Sequence, residues 1–185
     1  MDCMTLDEYV GAVTELMDSG RPLNEIVEAI VPLKRRLLAT PGLVPDRFLE
    51  GLDQVPYTRN LLHSDPQGRF SVIALAWAPG KQSPIHDHQS WGVVGTYHSE
   101  IEVIDYAPPA EDGSLAESGR CMAHEGDVIA ILPPRTHNIH RMSNAAGTAP
   151  TYTIHTYGDP ATLCRVYDPK DGRSCDRPLR FHHAL

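Results

Sequence analysis

From Tyr57 onward the sequence becomes a succession of short apolar runs cut off by Pro and Gly, and this punctuation constrains the fold more than any other feature. Residues 69–77 (RFSVIALAW) form a strand-like run that stops at Pro79-Gly80. Residues 91–97 form another. Residues 100–106 (EIEVIDY) alternate polar and apolar, as a half-buried strand does, whereas 107–120 read as a polar loop. Residues 128–132 read as a buried-type strand closed by Pro133-Pro134, and 151–157 alternate again and are rich in β-branched residues. Many short strands separated by turns predict a sandwich or barrel.

The first third has a helical period instead. Thr5 stands three residues before Glu8, the spacing of a capping box. Leu6, Val10, Val13, Leu16 and Met17 then recur on one helical face, and Gly20 is a natural stop. Residues 23–38 repeat the pattern through Ile26, Ile30, Leu33 and Leu37, with Lys34, Arg35 and Arg36 near the end, where cations suit the helix dipole. Residues 45–52 could form a third short helix. The expected organisation is one domain over residues 1–185, mainly β. A small N-terminal helical layer (1–55) packs on a β-barrel with a C-terminal extension (56–185).

Composition narrows the function. The net charge of −8 disfavours nucleic acid and anionic membranes as partners, because either would require a basic face. No stretch approaches the roughly 20 apolar residues of a membrane span, and the acidic start MDCMTLDEYV lacks the order of a signal peptide. A cytoplasmic, monomeric protein is expected. Cys3, Cys121, Cys164 and Cys175 show no CxxC spacing and are read as free thiols.

Ten histidines are present, and their placement carries chemistry. His86-Asp87-His88 on a strand would point two imidazoles to the same face, where both can ligate one metal. A third ligand must come from another strand, and His137, His140 and His155 are candidates. Imidazole suits iron, copper, nickel and zinc.

Gly80, five intervening residues and the His86/His88 pair resemble the first motif of the cupin superfamily, which implies a jelly-roll-like β-barrel. The glutamate that usually follows is missing, since positions 92 and 93 are Gly92 and Val93, so the resemblance implies a neutral three-histidine site. Four further segments, in order, resemble the cysteine dioxygenase family of thiol dioxygenases. They are Tyr57-Thr58-Arg59-Asn60-Leu61, Ile85-His86-Asp87-His88, His140-Arg141-Met142-Ser143-Asn144 and Thr153-Ile154-His155-Thr156-Tyr157.

The resemblance implies Fe(2+) held by His86, His88 and His140, because Asn144 follows His140 at the spacing of the family's third-ligand segment. His137 lacks that asparagine and becomes a polar neighbour. Arg59 matches the arginine that meets the substrate carboxylate, and Tyr157, His155 and Thr153 match the catalytic triad, with Thr in place of the more usual Ser. Tyr57 and Trp91 are expected to help line the substrate pocket. Animal members carry a cysteine soon after the histidine pair that cross-links to the catalytic tyrosine. The run from Gln89 to Val93 has none, so Tyr157 is expected unmodified. The implied partners are a small thiol and O2, and the implied product of L-cysteine is its sulfinic acid.

Two alternatives remain. Residues 61–66 and Trp91-Gly92 resemble 3-mercaptopropionate dioxygenases, although that group typically carries glutamine where Arg59 stands. The other is a non-catalytic cupin that binds a small ligand or a structural zinc ion.

Overall fold

The computed structural model describes residues 2–88, 90–134, 138–158 and 163–185. Two helices open the chain, α1 (Leu6–Asp18) and α2 (Leu23–Leu38), followed by a single 3-10 turn at Asp46–Leu49. The capping box forms: Glu8 N–H donates to Thr5 Oγ1, and Thr5 N–H donates to Glu8 Oε2. This satisfies two amides that a helix start would otherwise leave bare. Gly20 sits at φ +69°, a left-handed conformation that suits the residue after a helix end.

Among the described residues twelve strands follow: β1 (Tyr57–Ser64), β2 (Phe70–Trp77), β3 (Ile85–Asp87), β4 (Gly92–His98), β5 (Glu100–Tyr106), β6 (Glu117–His124), β7 (Val128–Ile131), β8 (Ile139–Ser143), β9 (Thr151–Gly158), β10 (Leu163–Tyr167), β11 (Ser174–Pro178) and β12 (His183–Ala184). They make two six-stranded sheets, ordered β12-β1-β2-β9-β4-β7 and β11-β10-β3-β8-β5-β6. The result is mainly β with a small helical layer, as the sequence predicts.

Strand alternation explains how the layers stack. On β2, Ile73, Leu75 and Trp77 face inward to meet Ile101, Val103 and Met142 of the other sheet. Phe70, Val72 and Ala74 face outward, where Val13, Ile26, Ile30 and Leu37 of the helices cover them. Covered on both faces, β2 is buried at every position, which is why it reads as an unbroken apolar run. No described helix is long and apolar enough to cross a membrane.

Four expectations need correction. Residues 107–120 are not all loop, because β6 begins at Glu117. It lies at the edge of its sheet and faces solvent, so it carries no apolar pattern. Residues 128–131 are an edge strand with Ile129 exposed, not a buried one. The third helix is only a 3-10 turn. Lys34 does not sit in the last helical turn with Arg35 and Arg36; it falls on the stripe of Ile26, Ile30 and Leu37 and is fully buried.

Candidate active site

β3 and β8 pair with His86 opposite His140, and His88 follows directly on β3. The ligand nitrogens of His86, His88 and His140 all lie within 4.8 Å of one another. His86 donates its Nδ1–H to the Pro84 carbonyl at 3.0 Å, which leaves Nε2 as its lone-pair atom. Burial lowers the pKa of all three rings, those of His88 and His140 well below the ordinary value. Three neutral imidazoles therefore converge inside the barrel. The Nε2 atoms of His88 and His140 stand 3.2 Å apart, where two lone pairs repel unless a proton or a cation lies between them. This all-nitrogen donor set fits a divalent transition metal of the iron-to-zinc series better than it fits magnesium or calcium.

β9 carries the next group of residues. Thr153, His155 and Tyr157 alternate on its inner face and form one hydrogen-bonded chain. Its direction follows from Trp77. The indole Nε1–H can only donate, and it donates to Thr153 Oγ1 at 2.8 Å. The Thr153 hydroxyl is then free to donate to His155 Nε2 at 2.7 Å. Burial keeps His155 neutral, so its one proton sits on Nδ1 and is donated to the Tyr157 hydroxyl at 2.7 Å. The remaining Tyr157 proton is left to point into the pocket, 3.4 Å from His88 Nε2. Burial raises the Tyr157 pKa, so the phenol stays protonated.

A cavity of about 400 Å³ joins these groups. His86, His88, His155 and Tyr157 line it, together with Tyr57 and Arg59 on β1. Tyr57 and Arg59 face inward, whereas Thr58 and Asn60, which alternate with them, face out; Thr58 donates to the Phe48 carbonyl and Asn60 to the Ala74 carbonyl. Tyr57 leans on Trp77 with ring centroids 4.7 Å apart. Arg59 is 6% exposed, and burial lowers its pKa while the nearby Tyr157 and Tyr57 oppose that shift.

The structure thus brings His86, His88, His140, Arg59, Tyr57, Thr153, His155 and Tyr157 together. Trp91 is not among them. It belongs to the core between sheet and helices, with its indole packed over Gly158, where a Cβ would fall 1.9 Å from Nε1. The expectation that it lines the pocket is therefore corrected. His137 lies outside the described residues.

Several lining residues escaped the sequence reading: Ser83, Met142, Leu163, Cys164 and Leu179. Cys164 is a free thiol, as the sequence predicts, and lies buried on the pocket wall. Its alternation with Val166 across β10 is the one signal that could have flagged it. Asn144 is no ligand; its side chain donates to the Trp77 and Ala149 carbonyls and ties the end of β8 to the end of β2.

The profile of the family described as cysteine dioxygenase type I matches residues 46–170. The chain belongs to the cysteine dioxygenase type I family. Among curated relatives in this family, human cysteine dioxygenase type 1 is 26% identical over 132 residues, covering 70% of this chain and 64% of the human protein. The zebrafish (Danio rerio) protein of the same name is 28% identical, covering 65% and 60%. The chain thus aligns with less than two thirds of the length of these relatives. A solved sugar phosphate isomerase of the cupin superfamily from Silicibacter pomeroyi is 18% identical, covering 75% of this chain and 80% of its own, with a TM-score of 0.48.

The residue against the Tyr157 ring is Gly92, where a Cβ would lie 2.7 Å from Cε1. It leaves the space beside the ring edge to the ring itself.

Proposed function

We propose that the protein is an iron(II)-dependent thiol dioxygenase that converts L-cysteine and O2 to cysteine sulfinic acid, with His86, His88 and His140 holding the metal. The reaction balances without a further reductant: one thiol and one O2 give one sulfinic acid. When bound, iron(II) would supply open coordination positions and the redox chemistry that lets a thiol react with O2.

One observation carries this reading. The Thr153–His155–Tyr157 chain ends 3.4 Å from a histidine of the three-imidazole cluster, in a cavity that Arg59 also lines. Arg59 would receive the substrate carboxylate through two parallel hydrogen bonds, a geometry that lysine cannot reproduce. Tyr157 would donate its proton to a reacting oxygen or sulfur, while His155 and Thr153 hold its orientation. Leu75, Met142 and Leu163 make the surrounding wall apolar, which limits water at the reacting atoms.

A second reading, 3-mercaptopropionate as substrate, has one observation in its favour. No acidic side chain is among the described residues lining the cavity. The amino group of cysteine therefore gains no side-chain counter-charge, and a thiol lacking it would suit the wall equally.

O2 uptake by the iron-loaded protein with each thiol separates the two. Faster turnover of cysteine is expected. Replacing Arg59 by Gln should lower kcat/KM for cysteine roughly thirtyfold, a loss of about 2 kcal/mol. A clear preference for 3-mercaptopropionate would overturn the substrate assignment, and unchanged cysteine kinetics in Arg59→Gln would remove Arg59 from the site.

A further inference from the structure

The match to the family ends at residue 170, yet the chain beyond it returns to the pocket. β12 adds in parallel to β1, pairing His183 with Asn60 and Ala184 with Leu61. Without it, β1 would be the edge of its sheet. Arg59 is gripped on both sides of its backbone. Its N–H donates to His182 Nδ1 at 3.0 Å, and its carbonyl accepts from the His182 N–H at 2.7 Å. Leu185 N–H donates to the Leu61 carbonyl at 3.0 Å, extending the grip along the strand.

The side chain is engaged as well. The Arg59 guanidinium carbon stands over the Phe181 ring, 5.5 Å from its centroid, within the roughly 6 Å at which a ring face attracts a cation. Phe181 is half-buried and, like Tyr57 and Leu61, packs on the cluster that contains Leu75 and Trp77, and Leu179 lines the cavity itself. An arginine at the end of a long side chain has many rotamers to lose before it can hold a carboxylate in two parallel bonds. A ring fixed against one face of the guanidinium removes some of that freedom in advance.

We propose that the segment 179–183 is a specificity element of the active site, in which Phe181 and His182 are positioning residues that present Arg59 to the carboxylate of a small thiol. The inference rests on the reading of Arg59 as the carboxylate-binding residue. It assigns a role to a part of the chain that the family match does not reach.

The test is anaerobic calorimetric titration of the iron(II)-loaded protein with L-cysteine and with cysteamine, the same aminothiol without the carboxylate. Phe181→Leu keeps an apolar side chain but removes the ring face. It should weaken cysteine about tenfold relative to cysteamine, and Phe181→Trp should restore the ratio. His182→Ala should shift the ratio in the same direction as Phe181→Leu. Equal weakening of both thiols in Phe181→Leu, or no change in either, overturns the proposal, because a merely structural tail would not distinguish them. Arg59→Gln serves as the separate control. If it leaves the cysteine-to-cysteamine ratio unchanged, the carboxylate reading of Arg59 fails; if it lowers the ratio while Phe181→Leu does not, only the role of the tail fails.

Discussion

Tyr157 is held at three points. His155 donates to its hydroxyl, the His88 ring stacks on it at 4.8 Å between centroids, and Gly92 lies against its ring edge. The first contact fixes the proton, the second the plane and the third the space. A methyl at position 92 would overlap Cε1 and Cδ1, so Gly92→Ala should turn the ring and break the 2.7 Å bond to His155. We expect kcat to fall about tenfold and stability by about 1–3 kcal/mol, as overpacking does. Steady-state O2 uptake and thermal melting check this, and an unaltered kcat would show that the ring tolerates the shift. The relay can be probed from its far end. Thr153→Ser keeps the donor to His155 and should retain activity. Thr153→Val keeps the shape but leaves Trp77 Nε1 and His155 Nε2 without partners, at about 1–3 kcal/mol for each buried group. If Val and Ser behave alike in rate and melting temperature, the hydroxyl has no orienting role.

At the scale of elements, α2 and β9 are joined by a polar contact inside an apolar layer. Lys34 Nζ stands 2.6 Å from Thr156 Oγ1, and the Tyr9 hydroxyl 2.8 Å from the same oxygen. Thr156 lies on the outer face of β9, between His155 and Tyr157 in sequence, so the helices grip the strand that carries the relay. Burial drives the Lys34 pKa well below 10.5. The folded protein thus holds a neutral amine where the unfolded chain holds an ammonium. The unfolded state binds the extra proton, so stability rises with pH between the lowered value and the ordinary one, by no more than about 1.4 kcal/mol per pH unit. Lys34→Met should flatten that rise and leave a protein at least as stable near neutrality. Chemical denaturation across the alkaline range measures it, and an unchanged slope would contradict a neutral Lys34.

Lys34 also shows where sequence reading stops. Its spacing put it on the buried stripe with Ile26, Ile30 and Leu37, but its charge suggested a helix end. The long apolar or alternating strands β2, β5 and β9 were legible, because one or both faces are covered. The three-residue β3 and the exposed β11 and β12 carried no pattern, since short or solvated strands impose none.

For the whole molecule, strand pairing within each of the two sheets brings distant segments to one cavity. β3 and β8 are joined at His86 and His140, while β2 and β9 align Leu75 with Thr153 and Ile73 with His155. The histidine pair, Arg59 and the Thr153–His155–Tyr157 run were readable as motifs, whereas the walls supplied by Leu163, Cys164 and Leu179 depend on where the C-terminal strands return. With three neutral imidazoles facing one another, a bound divalent metal should stabilise the fold, by about 2.7 kcal/mol at a hundred times its Kd. Chelation should lower the melting temperature of the parent and leave His140→Ala unmoved; equal shifts in both would place the metal elsewhere. The central claim is that these three histidines make a thiol oxidation site, and the most direct measurement is O2 consumption with product analysis. The protein is loaded with iron(II) without oxygen, then mixed with L-cysteine and isotopically labelled O2. The account predicts one O2 consumed per cysteine sulfinic acid formed, both product oxygens carrying the label, and loss of the reaction in His140→Ala. Iron-loaded protein that forms no sulfinic acid, or a His140→Ala variant that forms it at the parent rate, would contradict it.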